Sequence, residues 1–294
     1  MSVLAEPAPH APLRTLPARR RTKLPPGALA AAGVWVVVAL FVVVPLGALV
    51  LRASASSASE AISLLAQPRV LAAFRTTFAT SLVAALCDVL LALPVAWSLG
   101  RYDFPGRRVL DALVDMPLAL PTSVAGLTLA ALTSEHGPLG PLLAALGLRV
   151  AYTPLGITLA LAFVGFPFVV RALEPVVHVL DEGPLEAAHS LGASRASIMV
   201  RVVLPQLVPA ALTGFTVALA RSLGEYGSIV FIAGNLPFKT EVVSYFIVSR
   251  LEDHEPLAAT VLALTLLVLS GALLGVVGVL ERRATDSLVP AERV

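Results

Sequence analysis

The sequence predicts an all-α integral membrane protein with six transmembrane helices, and its composition is the first reason. Hydrophobic residues make up 57% of the 294 residues and charged residues only 14%, whereas an ordinary soluble domain has about 25% charged residues. Apolar runs of about 20 residues, the length that crosses about 30 Å of hydrocarbon, recur along the chain. These runs and their short connections take up nearly the whole chain, so no separate soluble domain is expected.

Six apolar runs are the predicted spans. They cover residues 28–51, 76–99, 110–133, 152–172, 206–233 and 258–280. The first run is longer than the 7 to 15 apolar residues of a cleavable signal, so it is predicted to be a retained anchor. We expect a transmembrane domain at 28–283, preceded by a disordered cytoplasmic tail at 1–27 that is rich in proline and arginine. A short cytoplasmic tail is expected at 284–294.

The positions of lysine and arginine predict the orientation in the membrane. Most of these residues lie before the first run, at 101–108, at 171–201 and after residue 281. Because cytoplasmic loops carry an excess of lysine and arginine, both termini are predicted to be cytoplasmic. The chain is therefore expected to be a multi-pass protein of the cell (inner) membrane, with its basic N-terminal tail near anionic lipid.

One arginine lies inside a predicted span. Arg221 and Glu225 are four residues apart in the fifth run, so they are predicted to pair on one helix face. An arginine in a span costs about 2.5–3.5 kcal/mol on insertion scales and must face protein or a wet cavity. Two interpretations are open: the pair neutralises itself and locks the helices together, or Arg221 offers its charge to a passing anion while Glu225 prevents tight binding.

Other polar residues at membrane depth have milder interpretations. Thr122 and Ser123 belong to a small-residue segment, "LPTSVAGLTL", which favours close helix packing, with a hydroxyl-lined substrate path as the alternative. Asp88 is expected to make a buried hydrogen bond and Asp115 to lie at the membrane interface, in preference to a proton relay.

Several function classes are disfavoured by the sequence. Cys87 is the only cysteine, and the five histidines have no zinc-ligand spacing, so neither a disulfide framework nor a metal site is predicted. No G-x-x-x-x-G-K-[ST] motif occurs, so the chain is not expected to hydrolyse ATP. No nucleophile, base or metal constellation suggests a membrane enzyme, and a net charge of +2 gives no reason to expect nucleic acid.

A polar stretch separates the fourth and fifth runs on the predicted cytoplasmic side. It reads "EAAHSLGASRASIMVRVVLPQL" from residue 186. Pro184 suits the first turn of a helix, Gly192 suits a left-handed helix exit, and Pro205 is expected to mark the start of the next span. We therefore predict two short helices at an angle, joined to the membrane bundle as a lever.

The residue order in this stretch resembles the signature loop of binding-protein-dependent ABC importer permeases. The matching positions are Glu186, Ala187, Ala188, Gly192, Val202, Leu204 and Pro205, with valine in place of the commoner isoleucine. The resemblance implies a type I ABC importer permease fold with cytoplasmic coupling helices, so residues 184–205 are named the coupling loop. It also implies that this loop docks on an ABC ATPase dimer, and that ATP and Mg²⁺ are bound by those partner subunits, with no cofactor on this chain.

Three further segments, 101–132, 165–176 and 220–252, resemble permeases for tetrahedral oxyanions. The resemblance is greatest to CysT-type subunits of sulfate/thiosulfate importers, and the run "FIAGNLPFKTEV" favours sulfate over molybdate. It implies import by alternating access, a second permease subunit of W type, and an extracytoplasmic sulfate-binding protein. The alternatives are molybdate or tungstate import and a secondary anion transporter, although the latter has no use for the coupling loop.

Overall fold

The computed structural model describes the backbone of residues 28–288 and the side chains of residues 33–283. Every regular element in this part is helical, as predicted. Two five-residue π-helical segments, Ala39–Val43 and Met199–Val203, interrupt the α-helices. The α-helices are α1 (Ala28–Val38), α2 (Val44–Ala53), α3 (Ala58–Leu65), α4 (Pro68–Arg101), α5 (Arg107–Ala119), α6 (Thr122–Thr133), α7 (Gly140–Ala145), α8 (Pro154–His178), α9 (Gly183–Ser190), α10 (Arg195–Ile198), α11 (Leu204–Leu223), α12 (Gly227–Ile232), α13 (Val243–Glu252) and α14 (Pro256–Leu288).

Five helical stretches in the described residues are long and apolar enough to cross a membrane. They are Gly33–Ala53, Pro68–Arg101, Pro154–His178, Arg195–Leu223 and Pro256–Arg283. Helices α5 and α6 pass the same test only as a pair, and they are bent by 110° at the break between them. The number of candidate spans is six when this bent pair is counted as one.

Two predicted spans are broken in the structure. The run 110–133 is not one helix, because Pro121 lacks an N–H group and disfavours helical backbone at the preceding residue; Leu120 is accordingly extended, with φ −85° and ψ 136°. In the run 206–233, helix α11 ends at Leu223 and helix α12 begins only at Gly227. Apolar composition alone does not reveal either break, since the residues on both sides remain hydrophobic.

The chain divides into two units, one ending at Leu49 and the other beginning at Val50. In the first unit the structure describes α1, the first π segment and the start of α2. In the second unit, α14 continues to Leu288, past the predicted end of the membrane domain at residue 283. The predicted tail at 1–27 and residues 289–294 lie outside the described residues.

The core of the second unit is built by α4, α8 and α11. Leu99, Leu173 and Leu219, one from each helix, are at most 1% exposed. Small residues let the backbones approach closely: a Cβ added to Gly214 of α11 would lie 2.9 Å from the Cα of Val169 on α8. Such small-residue contacts are the usual means of helix packing in lipid, where lipid tails are as apolar as the helices.

The two ends of α4 mark opposite ends of the bundle, because a helix of 34 residues is about 50 Å long. At its C-terminal end, Arg101 Nη2 donates to Leu180 O at 3.1 Å and Arg101 Nη1 lies 3.3 Å from Glu182 Oε1. At its N-terminal end, Arg69 makes two hydrogen bonds, of 2.8 and 2.7 Å, to the buried Glu241. The coupling loop therefore lies at one end of the bundle and the 234–242 loop at the other.

Candidate functional site

The first half of the coupling loop has the predicted geometry. Helix α9 begins at Gly183 with Pro184 in its first turn, where the missing N–H of proline costs no hydrogen bond. Glu186 and Ala187 are exposed, and Gly192 follows the helix with φ +84°, the left-handed conformation that favours glycine. The small exposed alanine leaves room for another protein surface to approach closely.

The second half of the loop is not a separate short helix. Ser194 caps α10 by accepting a hydrogen bond from Ser197 N at 3.2 Å, and the helix then continues without a break from residue 195 to Leu223. Pro205 lies in the first turn of α11 but inside a longer continuous helix, so no break in the helix accompanies the predicted start of the span. In the adjacent π segment, Leu204 N–H donates five residues back, to Met199 O. This change in the hydrogen-bond register lets the helix continue past Pro205, which has no N–H to donate.

This continuity joins the coupling loop rigidly to the membrane core. Val203 is 1% exposed and Leu207 3% exposed, and both belong to the core shared by α4, α8 and α11. The signature residues Val202, Leu204 and Pro205 are half-buried beside them. A displacement of the loop is therefore transmitted directly to α11.

Leu191 is a surface residue that the sequence analysis missed. It lies between Ser190 and Gly192 and is 88% exposed, although its side chain is apolar. Beside it, a groove of about 790 Å³ is lined by residues that include Trp97, Tyr102 and His189. The signal in the sequence was a leucine directly before the helix-ending glycine. We take its exposed side chain as a candidate contact for a partner protein.

A second polar cluster forms where α11 ends. The predicted contact between Arg221 and Glu225 is present, but Glu225 lies beyond the end of the helix, so the pair is not on one helix face. Arg221 Nη1 lies 2.7 Å from Glu225 Oε2. The other oxygen of Glu225 accepts hydrogen bonds from Ser228 N at 3.0 Å and Ser228 Oγ at 3.3 Å. Glu225 is 2% exposed, whereas the Arg221 side chain is 40% exposed. Glu225 thus contacts the first turn of α12, while the Arg221 side chain remains partly exposed.

Helix α6 packs against this cluster and brings Thr122 and Ser123 to it. A Cβ added to Gly227 would overlap Thr122 Oγ1 and would lie 3.3 Å from Ser123 N. Likewise, a Cβ on Gly126 would overlap the backbone carbonyl of Ser228. The predicted packing role of this small-residue segment is therefore observed at Gly126. The candidate path residues form two pairs, Thr122 with Ser123 and Arg221 with Glu225, which are about 100 positions apart in sequence. Both pairs lie around the break between α11 and α12.

The start of α6 presents free backbone donors. Pro121 precedes the helix and offers no side-chain cap, and Ser123 and Val124 are exposed. The first N–H groups of any α-helix lack intrahelical acceptors, and they carry the positive end of the helix dipole. Backbone donors at this depth cannot face hydrocarbon, so this surface requires a wet cavity or another protein.

The two membrane aspartates have different surroundings. Asp115 is 47% exposed, and Arg171 of α8 donates to both of its oxygens, at 3.0 and 2.6 Å; its interfacial position stays a prediction. Arg171 also lies 2.7 Å from Asp111 Oδ1, outside hydrogen-bond geometry, and 2.6 Å from Glu174 Oε2. Asp88 is fully buried, but neither carboxyl oxygen has a hydrogen-bond partner among the described residues. The buried hydrogen bond predicted for Asp88 is therefore absent.

No group of three or more histidine, cysteine, aspartate or glutamate side chains in the described part of the chain could hold a metal ion.

Comparison with protein families identifies the fold and the family of the chain. The model described as "Binding-protein-dependent transport system inner membrane component" matches residues 92–286, a range that contains the coupling loop and the Arg221 cluster. Among solved structures, a bacterial ABC transporter involved in the import of the acidic polysaccharide alginate has a TM-score of 0.70 at 16% identity, covering 87% of this chain and 93% of that chain. The MetNI methionine ABC transporter in an inward-facing conformation has a TM-score of 0.55 at 19% identity, over 80% of this chain and 100% of that one.

Curated relatives are similar over most of the chain. A probable sulfate transport system permease protein cysT of Nephroselmis olivacea is 46% identical over 79% of this chain and 82% of its own length. The sulfate transport system permease protein CysT of Salmonella typhimurium is 44% identical over 84% of this chain and 89% of its own length. The protein of the same name in Escherichia coli is also 44% identical over the same shares.

Proposed function

The chain belongs to the family of inner membrane components of binding-protein-dependent transport systems, and from this premise we propose that it is a permease subunit of an ATP-driven sulfate/thiosulfate importer. The observation that carries the substrate assignment is the identity of 44–46%, over most of the chain, to relatives named as sulfate permeases. The run 231–242 supports the same assignment by its resemblance to sulfate rather than molybdate permeases. Sulfate is moved and not chemically changed.

The proposed division of labour follows from the coupling loop. ATP and Mg²⁺ bind to a partner ABC ATPase dimer, and this dimer pushes the loop at Glu186 to Pro205. The exposed Leu191 and Ala187 supply the contact surface, and the unbroken helix from residue 195 to Leu223 carries the displacement into the core. On this proposal both chain termini and the coupling loop are cytoplasmic, and the 234–242 loop faces a sulfate-loaded binding protein outside the membrane.

A six-span subunit supplies one half of a translocation path, so a second permease subunit of W type is proposed to supply the other half. The half-exposed Arg221 guanidinium and the free donors at the start of α6 are proposed to line the path, with Thr122 and Ser123 as hydroxyl donors. Half-helix N-termini that point at anionic substrates are a recurrent device of transporters. Glu225 is held by Ser228 as well as by Arg221, so it fixes the arginine and limits its affinity for the anion.

The proposed cycle is alternating access. ATP-driven closure of the ATPase dimer moves the coupling loops, and the helices respond by rigid-body rocking around the anion. The path opens outward to receive sulfate from the binding protein and opens inward after hydrolysis.

The substrate proposal is tested with labelled sulfate uptake into proteoliposomes that contain the purified complex, the binding protein and internal ATP. Sulfate is expected to accumulate only with ATP, and unlabelled thiosulfate is expected to compete. Accumulation of molybdate without sulfate would overturn the substrate assignment. Accumulation of sulfate without any ATPase subunit would instead support a secondary transporter.

The role of Arg221 is tested by Arg221→Gln in the same assay. Loss of its charge-assisted hydrogen bonds to the anion is expected to reduce uptake about tenfold or more, with normal assembly of the complex. Arg149→Gln, which changes an exposed arginine in the loop before α8, is the matched control and should leave uptake within about twofold. Unchanged uptake by a normally assembled Arg221→Gln complex would restrict the pair to a locking role.

A further inference from the structure

Asp88 is a buried carboxyl group that the proposed path does not use. Among the buried acidic side chains of residues 33–283, Glu225 and Glu241 each pair with an arginine. Asp88 is 0% exposed in the middle of α4, it makes no ion pair with any described residue, and both of its oxygens lack a hydrogen-bond partner. An explanation for this carboxyl is needed, because buried polar groups in native proteins are almost always satisfied.

The carboxyl lies in the three-helix core and not at a lipid-facing surface. A Cβ added to Gly165 of α8 would overlap Asp88 Oδ2 and would lie 3.4 Å from Asp88 Cγ. The same Cβ would lie 3.3 Å from the Cβ of Ala218 on α11. Gly165 therefore provides the space that the carboxyl occupies, at the point where α4, α8 and α11 meet.

Two buried hydroxyl groups, one on α4 and one on α11, also lack a hydrogen-bond partner among the described residues. Ser81 lies two turns before Asp88 on α4 and is 0% exposed, and Ser222 lies one turn after Ala218 on α11 and is 2% exposed. Neither hydroxyl oxygen has a hydrogen-bond partner in the described part of the chain. Ser222 is about 6 Å along the α11 axis from the position beside Asp88. The chain thus stores an acceptor and a possible donor on neighbouring helices, separated in this state.

A buried carboxyl without a hydrogen-bond partner raises the free energy of the state that contains it relative to any state in which it is paired. Helix α11 is continuous with the second half of the coupling loop, whereas α4 belongs to a separate part of the chain. Movement of the loop therefore acts directly on α11. Packed interfaces of this kind switch between discrete arrangements and do not deform continuously.

We propose that Asp88 is a positioning residue of the transport cycle: its carboxyl is unpaired in the conformation described and acquires a hydrogen bond, with Ser222 as the donor, when α11 shifts relative to α4. This inference rests on the proposed alternating access, and it adds to the rigid-body rocking a shift of α11 relative to α4 within the subunit. The carboxyl does not contact the anion. The unpaired carboxyl destabilises the described conformation, and its hydrogen bond stabilises the next one. Asp88 therefore lowers the free energy needed to pass from the first conformation to the second.

The test compares Asp88→Leu and Asp88→Asn in the complete purified complex, measuring thermal midpoint, ATP hydrolysis and labelled sulfate uptake. Leucine removes the unpaired polar group, so Asp88→Leu is expected to keep or raise the thermal midpoint. Its uptake and its ATP hydrolysis are both expected to fall about tenfold, because the second state loses its hydrogen bond. Asp88→Asn keeps an acceptor and should retain both activities within about threefold.

Ser81→Ala is the matched control, because it removes another buried, unpartnered polar atom of α4 that has no assigned role. It should leave both activities within about twofold. A lower thermal midpoint or failed assembly of Asp88→Leu would show a purely structural role and would overturn the proposal, as would unchanged ATP hydrolysis in a stable Asp88→Leu complex. If the wild-type complex hydrolyses ATP but does not take up sulfate, the substrate assignment is wrong. The ATP hydrolysis rates of the Asp88 variants then still test the role of Asp88.

Discussion

Replacing Arg171 by alanine is expected to loosen α5 from α8. This one guanidinium joins the two helices, donating to both oxygens of Asp115 at 3.0 and 2.6 Å and to the backbone carbonyl of Asp111 at 3.3 Å. The only fully buried residues of α5 are Val114 and Pro117, so apolar packing contributes little to its attachment. Removing the arginine would also leave three carboxylates close together without a counter-charge.

The magnitude follows from the partial exposure of the cluster. Arg171 is 34% exposed and the two aspartates are each 47% exposed. Exposed ion pairs contribute about 0–1 kcal/mol, and removing one partner of a fully buried pair costs about 3–5 kcal/mol. We therefore expect a loss of about 2 kcal/mol, which for a domain of this size corresponds to about 4–8 °C in thermal midpoint.

The assay is thermal unfolding of the purified complex, with Asp103→Ala as the control. Asp103 is 94% exposed and pairs with Arg107 just before α5, so its removal should cost less than about 1 kcal/mol. Arg171→Lys should give an intermediate loss, because lysine keeps the charge but cannot make the two-pronged contact with Asp115. A midpoint for Arg171→Ala no lower than that of the control would refute the reasoning.

Three other substitutions test other contacts. Gly126→Ala places a methyl group against a backbone carbonyl of α12 and should lower the free energy of unfolding by about 1–3 kcal/mol through overpacking. In the control Gly271→Ala the added methyl group meets no atom within 4 Å. Equal thermal midpoints for the two variants would contradict the close approach of α6 and α12. Glu241→Gln removes the charge that Arg69 binds and should lower the midpoint by an amount corresponding to about 1–3 kcal/mol, whereas no shift would show that the pair is not stabilising. Leu191→Asp should weaken ATPase binding in a pull-down about tenfold without changing the midpoint, and undiminished binding would exclude Leu191 as the anchor.

The sequence was informative where local chemistry sets local structure. Pro184 and Gly192 determined the ends of α9 correctly, because proline fits a first helical turn and glycine tolerates a left-handed exit. The contact between Arg221 and Glu225 was also predicted from their spacing of four, although α11 ends at Leu223 and Glu225 lies beyond it. Pro205 lies in the first turn of α11, but the sequence did not reveal that the helix begins at residue 195, with a π segment that accommodates the N–H missing at Pro205.

By itself the sequence determined that the chain is an all-helical membrane protein, which side chains are charged at membrane depth, and which loop resembles a coupling loop. Only the tertiary structure decided that two spans are broken and that Thr122 and Ser123 meet the start of α12. It also decided that Asp88 lies beside Gly165 without a hydrogen-bond partner among the described residues. The physical reason is that hydrophobicity and helical periodicity act within one segment. Contacts such as that of Gly165 with Asp88 instead depend on how closely the backbones of separate helices approach.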